Sequence, residues 1–331
     1  MTDDKKKVLF ALGLIALFSS SAFLAKNVIG EGQMPANYNI VRILLNLWTI
    51  LSGYVCFRGI FDSKRWGIVG CTLYVFSVYR IYCLFSADGL SRALMMSFLP
   101  PVLYGLKILM TDRNGIKKTV SGCVFFLAGL GGALLSMFAP GTGMISERAN
   151  ETFQARGIYL AQLFTYFLRD GDGFPFTSEG LVGARPIGIG WVFLICLVIF
   201  LLIWFLGEDR YKSRSEAVYF RGIAILGLIF MIVTLQSFPW DTLAGRFSLI
   251  GLMAENLSSP AFFLAFASAD LAIVSCFVAR HFCENKKIGF RFCLFLLCVW
   301  VVTSPLFLSD SICANADKRC VVTTENGQSQ P

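Results

Sequence analysis

Asp270 lies near the middle of an apolar run, Pro260 to Ala279, where insertion scales set the cost of a carboxylate at about 2.5 to 3.5 kcal/mol. Such a group needs a partner or water. Arg80 stands inside a second run, Trp66 to Phe85, close to its carboxyl-terminal end, and is a candidate partner for Asp270. Ionisable residues within apolar runs mark functional sites by default, while a long cationic side chain near a run's end can instead reach the lipid headgroups. A third feature is Arg169-Asp-Gly-Asp-Gly173, whose two carboxylates could chelate a divalent ion through oxygen. Asp/Gly runs of this kind are more often turns, and no metal site is expected. With one histidine, His281, and no Cys-x-x-Cys pair, a Cys/His metal site has almost nothing to build on, and no cofactor is expected.

Other residues bear on shape. Pro100-Pro101 removes two backbone donors inside the run Ala93 to Met110 and should kink it, as broken transporter helices are kinked or as a plain packing device. Phe238-Pro-Trp-Asp241 reads as an interface anchor with Trp240 in an aromatic belt. Asp241 and Glu255 either line an outward cleft or are solvated loop acids. Cys313 and Cys320 lie in the carboxyl-terminal tail, where a bridge is plausible if that tail is outside. The other cysteines, such as Cys71, Cys123, Cys196, Cys276 and Cys298, fall in apolar runs and act as small hydrophobes.

The elements that must position these groups follow from hydropathy. The chain is 56% hydrophobic and 15% charged, which excludes an ordinary soluble domain. A helix needs about 20 apolar residues to cross the hydrocarbon core. Nine runs qualify: Val8 to Ala25, Ile40 to Phe57, Trp66 to Phe85, Ala93 to Met110, Thr119 to Ala139, Gly188 to Leu206, Gly222 to Phe238, Pro260 to Ala279 and Phe290 to Leu308. The fold class is therefore an all-α integral membrane protein, a single polytopic domain over residues 1–308 with a tail at 309–331, read as disordered. The net charge of +8 is spread in small clusters at the ends of apolar runs, so topology explains it better than nucleic acid does. Alternate loops hold most of it: Lys5 to Lys7; Arg58, Lys64 and Arg65; Arg113, Lys117 and Lys118; Arg210 to Arg221; and Arg280 to Arg291. By the positive-inside rule the amino end is inside and the carboxyl end outside, in a multi-pass cell-membrane protein whose partner is the lipid bilayer. The first run also has the pattern of a secretory signal, with Ser19 to Ala22 as its small residues, but reads better as an uncleaved helix. The loop from Pro140 to Ile187 is the largest outer element, and Phe153 to Leu168 within it reads as an interfacial or re-entrant helix, or as a lid on the bundle.

From Leu73-Tyr-Val-Phe-Ser-Val-Tyr-Arg-Ile-Tyr82 through ALMMSFLPPVLYGL at Ala93 to Leu106, the chain resembles large bacterial polytopic membrane proteins with a pyruvoyl-tetrahydropterin-synthase-related region. These are similar to membrane glycosyltransferases of the GT-C type. Gly157-Ile-Tyr-Leu-Ala-Gln-Leu-Phe164, Ser237-Phe-Pro-Trp240 and Ser259-Pro-Ala-Phe-Phe-Leu264 continue the resemblance in order, over about residues 38–282. It implies a helical bundle that handles a polyprenyl-phosphate-linked sugar at the outer membrane face during cell-envelope glycan assembly. In GT-C enzymes the key acid lies in the first outer loop and serves as general base on the acceptor hydroxyl. Here that loop, Lys26 to Asn39, is short and offers Glu31, and the chain is shorter than its look-alikes. The resemblance thus implies either a hexosyltransferase with Glu31 as base or a shortened, non-catalytic relative; on that reading Arg80 and Arg92 would hold a lipid phosphate, and Asp241 and Asp270, from their positions in the chain, are further candidate substrate contacts. A transporter or flippase, motivated by Asp270 and the proline pair, and a structural membrane subunit are the competing classes.

Overall fold

The computed structural model describes residues 8–9, 11–16, 36–85, 90–111, 115–137, 152–160, 163, 188–207, 211, 213–257, 259–285, 290–291 and 293–301. Among these the chain is almost entirely helical and contains no β-strand. Five helices are long and apolar enough to cross a membrane: Ile40–Phe61, Ser91–Thr111, Ile116–Leu135, Arg214–Val233 and Pro260–Glu284. The runs read at the two ends of the chain, Val8 to Ala25 and Phe290 to Leu308, lie largely outside the described residues.

In chain order the elements are α1 (Ala36–Phe61), α2 (Lys64–Val75), α3 (Val78–Phe85), α4 (Leu90–Thr111), α5 (Ile116–Met137), α6 (Trp191–Phe205), α7 (Arg214–Val233), α8 (Trp240–Arg246), α9 (Ser248–Asn256), a 3-10 turn (Pro260–Phe263) and α10 (Leu264–Asn285). Helix α10 is the hub: 89% of its most apolar stretch is buried, against 17% for α5, which lies at the periphery. Outward faces are apolar. Helix α1 turns Leu44, Trp48, Leu51 and Val55 outward at helical spacing, while Arg42, Asn46 and Thr49 face in. Peripheral α5 exposes Val120, Val124, Leu127 and Leu135. Apolar patches of this extent need a hydrophobic surround, and they fit a membrane-embedded protein.

Three local features differ from the sequence reading. The run Trp66 to Phe85 is two helices, α2 and α3, meeting at a 57° bend. At the break Phe76 N–H still donates to Thr72 O (3.0 Å), but Ser77 N–H reaches only Tyr74 O (3.1 Å) in an i to i−3 bond. Helix α6 has 15 residues and rises about 22 Å, short of a hydrocarbon core of about 30 Å. Its start is set by Gly190, whose φ of 97° suits glycine. Of the expected interfacial helix Phe153 to Leu168, the part up to Tyr159 is a turn and a bridge, in which Ile158 N–H donates to Thr234 O (3.0 Å) and Gln236 N–H to Ile158 O (2.9 Å), while Leu160 and Leu163 are helical and 161–162 and 164–168 lie outside the described residues. Gly157 permits that approach, since a Cβ there would sit 2.8 Å from the Gln236 backbone. This segment is tied to the end of α7.

Helix α4 runs through Pro100 and Pro101 without interruption. The two prolines cannot bond Met96 O and Ser97 O, and neighbouring helices fill both gaps. The Tyr74 hydroxyl donates to Met96 O, and Ser52 Oγ donates to Ser97 O at 3.2 Å.

The two ends of the bundle differ. One end gathers the exposed cations Arg58, Lys64, Arg65, Lys117, Lys118 and Arg214, while at the opposite end Arg246 of α8 is exposed. Contacts hold these helix ends together: Trp66 Nε1 donates to Glu284 Oε1 (3.3 Å), and Lys107 Nζ donates to Gly59 O (3.0 Å) while lying 3.5 Å from Asp62 Oδ2. Lys107 thereby caps the carboxyl end of α1, where Asp62 takes a left-handed φ of 52° and Ser63 N–H closes back on Arg58 O (3.3 Å). At the opposite end Trp240 is buried rather than presented to an interface. It donates from Nε1 to Val233 O (2.7 Å), stacks on Phe263 at 5.5 Å and receives Phe153 edge-on at 5.3 Å.

Candidate functional site: a buried arginine cluster

Arginines are rarely fully buried, because removing a guanidinium from water is expensive unless its donors are satisfied. Three are buried among the described residues: Arg42 on α1, Arg80 on α3 and Arg92 on α4. Arg42 and Arg92 are at the amino ends of their spans, away from the end that carries the exposed cations.

Arg80 is 0% exposed. The chain break before α3 explains its position: with α2 ended at Val75, that residue's carbonyl has lost its helical donor, and Arg80 Nη1 supplies one at 3.0 Å. Its Nη2 donates to Asn46 Oδ1, also at 3.0 Å, while Nε–H has no acceptor among the described residues. Among the described residues Arg80 forms no ion pair, so a full positive charge rests on one amide and one carbonyl. Asn46 is one turn from Arg42 on the inward face of α1. Arg92 lies beside Tyr79, Tyr82 and Cys83, and Cys83 is also beside Arg80. The rings of Tyr79 and Tyr82 stack at 6.4 Å.

Asp270 takes another position. It is 2% exposed on α10, and its Cβ would be 3.2 Å from a Cβ on Gly227, so the absent side chain on α7 lets the two helices close at this point. Its Oδ2 has no hydrogen-bond partner among the described residues. Its titratable neighbours are the phenols of Tyr74 and Tyr219, and Tyr74 also neighbours Arg80. The expected Asp270–Arg80 pair is therefore not formed: the guanidinium is committed to the helix break, with Tyr74 interacting with both residues.

Of the residues singled out from sequence, Arg80 and Arg92 share Cys83 as a neighbour. Asp241 does not join them; it is exposed at the start of α8, accepting from Gln154 N–H at 3.3 Å while its own N–H donates to Gln154 Oε1 at 3.3 Å. Glu31, Asp170, Asp172, Cys313 and Cys320 lie outside the described residues, as does the side chain of Glu255. Among the described residues no group of three or more His, Cys, Asp or Glu side chains is arranged to hold a metal ion. Sequence reasoning missed Arg42, Asn46 and Lys107. The signal for the first two was the three-to-four spacing of Arg42, Leu45, Asn46 and Thr49, which puts polar residues on the inward face of an otherwise lipid-like helix.

Chemically, guanidinium groups near one end of an apolar bundle suit a phosphate or carboxylate, which they bind through bidentate, charge-assisted hydrogen bonds that a low dielectric strengthens. No family model, curated protein or solved structure matches the chain.

Proposed function

We propose that this chain is a nine-span protein of the cell membrane, amino end inside and carboxyl end outside, that binds the phosphate of a polyprenyl-phosphate-linked sugar near the outer leaflet through Arg42, Arg80 and Arg92. The observation that carries this reading is the burial of these three arginines at the end of the bundle away from the exposed Lys and Arg belt. Exposed cations mark the cytoplasmic face by the positive-inside rule, and buried ones serve no such purpose. The resemblance to GT-C-type membrane proteins supplies the class of ligand, an anionic lipid carrying a sugar for the cell envelope. Glu31 is the positional candidate for a general base if the chain transfers a hexose, and a non-catalytic binder needs only the arginines.

A second reading, a transporter or flippase, is favoured by the broken span at Val75 to Val78 together with the partnerless Asp270 oxygen in the most buried helix. Discontinuous helices and buried ionisable groups are the parts such proteins use.

Reconstitution into vesicles with a polyprenyl phosphate tests both. Arg92→Gln should weaken binding of that lipid by about 10-fold or more, the equivalent of one lost charged hydrogen bond, while Arg65→Gln at the exposed belt leaves it unchanged. Equal binding by the parent and Arg92→Gln would remove the arginine site. Movement of the lipid between leaflets that Asp270→Asn abolishes would place the chain in the second class.

A further inference from the structure

Helix α10 ends two residues after Cys283, and helical residues resume at 290–291 and 293–301. Between these two helical stretches Cys283 Sγ and Cys293 Sγ lie 3.1 Å apart. A disulfide bond is about 2.05 Å, so the two sulfurs need to close by only about 1 Å. Both thiols are half-buried, whereas Cys56, Cys71, Cys83 and Cys276 are sealed in the core. A diffusible reagent therefore has access to this pair and not to those. Cys298 is on the later helical stretch but exposed and outside this pairing.

We infer that Cys283 and Cys293 are a reversible oxidation site, closing to an intramolecular disulfide under peroxide and reopening under a thiol reductant. In the first step one thiolate attacks hydrogen peroxide, the O–O bond breaks, and a sulfenic acid forms as one water is released. The second thiol then attacks that sulfur, the S–O bond breaks and a second water leaves. Two thiols and one peroxide become one disulfide and two waters.

The bond would staple the later helical stretch to α10. When the thiols are reduced, that helix is seated by Phe290 edge-on to Trp66 at 5.9 Å and by buried Trp300 against Phe193 at 5.1 Å. Cys283 shares its end of the bundle with Trp66 and Glu284, the end bearing the exposed Arg and Lys belt. On the orientation proposed above this end faces a reducing compartment, so the bond is a response to oxidant and not a permanent structural link.

The test uses the full chain in detergent, reduced, then exposed to graded hydrogen peroxide, alkylated and digested for mass spectrometry. The expected result is a Cys283–Cys293 cross-linked peptide, two hydrogens lighter than the dithiol form, that grows with peroxide and disappears with dithiothreitol. Cys298 should remain alkylated throughout, and Cys283→Ser and Cys293→Ser should each lose the cross-link while eluting as monodisperse protein. Separate alkylation of Cys283 and Cys293 in excess peroxide would overturn the inference, as would scrambled linkage to Cys298 or a bond that dithiothreitol cannot open. Lipid binding at the arginine cluster reads independently, so failure of one leaves the other standing.

Discussion

Backbone carbonyls without helical donors are the most demanding groups in this molecule, and Arg80, Tyr74 and Ser52 answer for three of them. An unsatisfied peptide group in hydrocarbon costs several kcal/mol, more than an ordinary hydrogen bond contributes in net terms. Val75 O at the helix break takes Arg80, Met96 O takes Tyr74, and Ser97 O takes Ser52. Tyr74→Phe removes the only side chain on Met96 O among the described residues and should destabilise the protein by about 1 to 3 kcal/mol in reversible unfolding from detergent. Ser52→Ala should cost less, because that hydroxyl divides itself between Ser97 O at 3.2 Å and Thr49 O at 3.3 Å. A Tyr74→Phe midpoint equal to the parent's would show that Met96 O needs no partner. The proline pair announced the missing donors in sequence, but which hydroxyls would supply them depends on packing that no local pattern encodes. Arg80 was legible as a charge inside an apolar run, and its partner was misjudged because nothing local marked the break at Phe76 and Ser77.

Between elements, glycine decides how closely α4 and α5 approach. A Cβ on Gly105 would be 2.5 Å from Phe126 N and 2.8 Å from Gly122 O, both backbone atoms with no room to yield. Gly129 and Gly132 similarly admit Val102 and Phe98. Membrane helices associate through such close packing because lipid offers no hydrophobic drive between them. Gly105→Ala should therefore lower the unfolding midpoint, by about 1 to 3 kcal/mol of overpacking or more. Gly131, with nothing within 4 Å, is the control: Gly131→Ala should leave stability unchanged or raise it by about 0.5 to 1 kcal/mol through helix propensity. Matching effects at the two positions would refute the packing account. The five long helices were legible because hydropathy and length suffice to find them. The Thr152 to Tyr159 segment was not, since its apolar periodicity reads as helix and only its bridge to Thr234 and Gln236 marks it as a turn held against the end of α7. Ser213, whose Oγ accepts from Glu216 N–H at 3.2 Å, marks the start of α7 several residues before the apolar run does, a capping signal present in Ser213 to Glu216 itself.

At the scale of the whole molecule, an apolar exterior surrounds an interior that holds its polar groups at chosen depths: Lys107 at one end, Asp270 in the hub helix, and Arg42, Arg80 and Arg92 toward the other end. The proposed function depends on which end faces the cytoplasm. Single cysteines read that directly, one at Arg65→Cys in the exposed basic belt and one at Thr242→Cys in α8 at the opposite end. A membrane-impermeant maleimide, with each labelled peptide identified by mass spectrometry, should modify Thr242→Cys in intact cells and reach Arg65→Cys only after permeabilisation. Labelling of Arg65→Cys in intact cells, with Thr242→Cys protected until the membrane is opened, would put the arginine cluster on the cytoplasmic side and contradict the account.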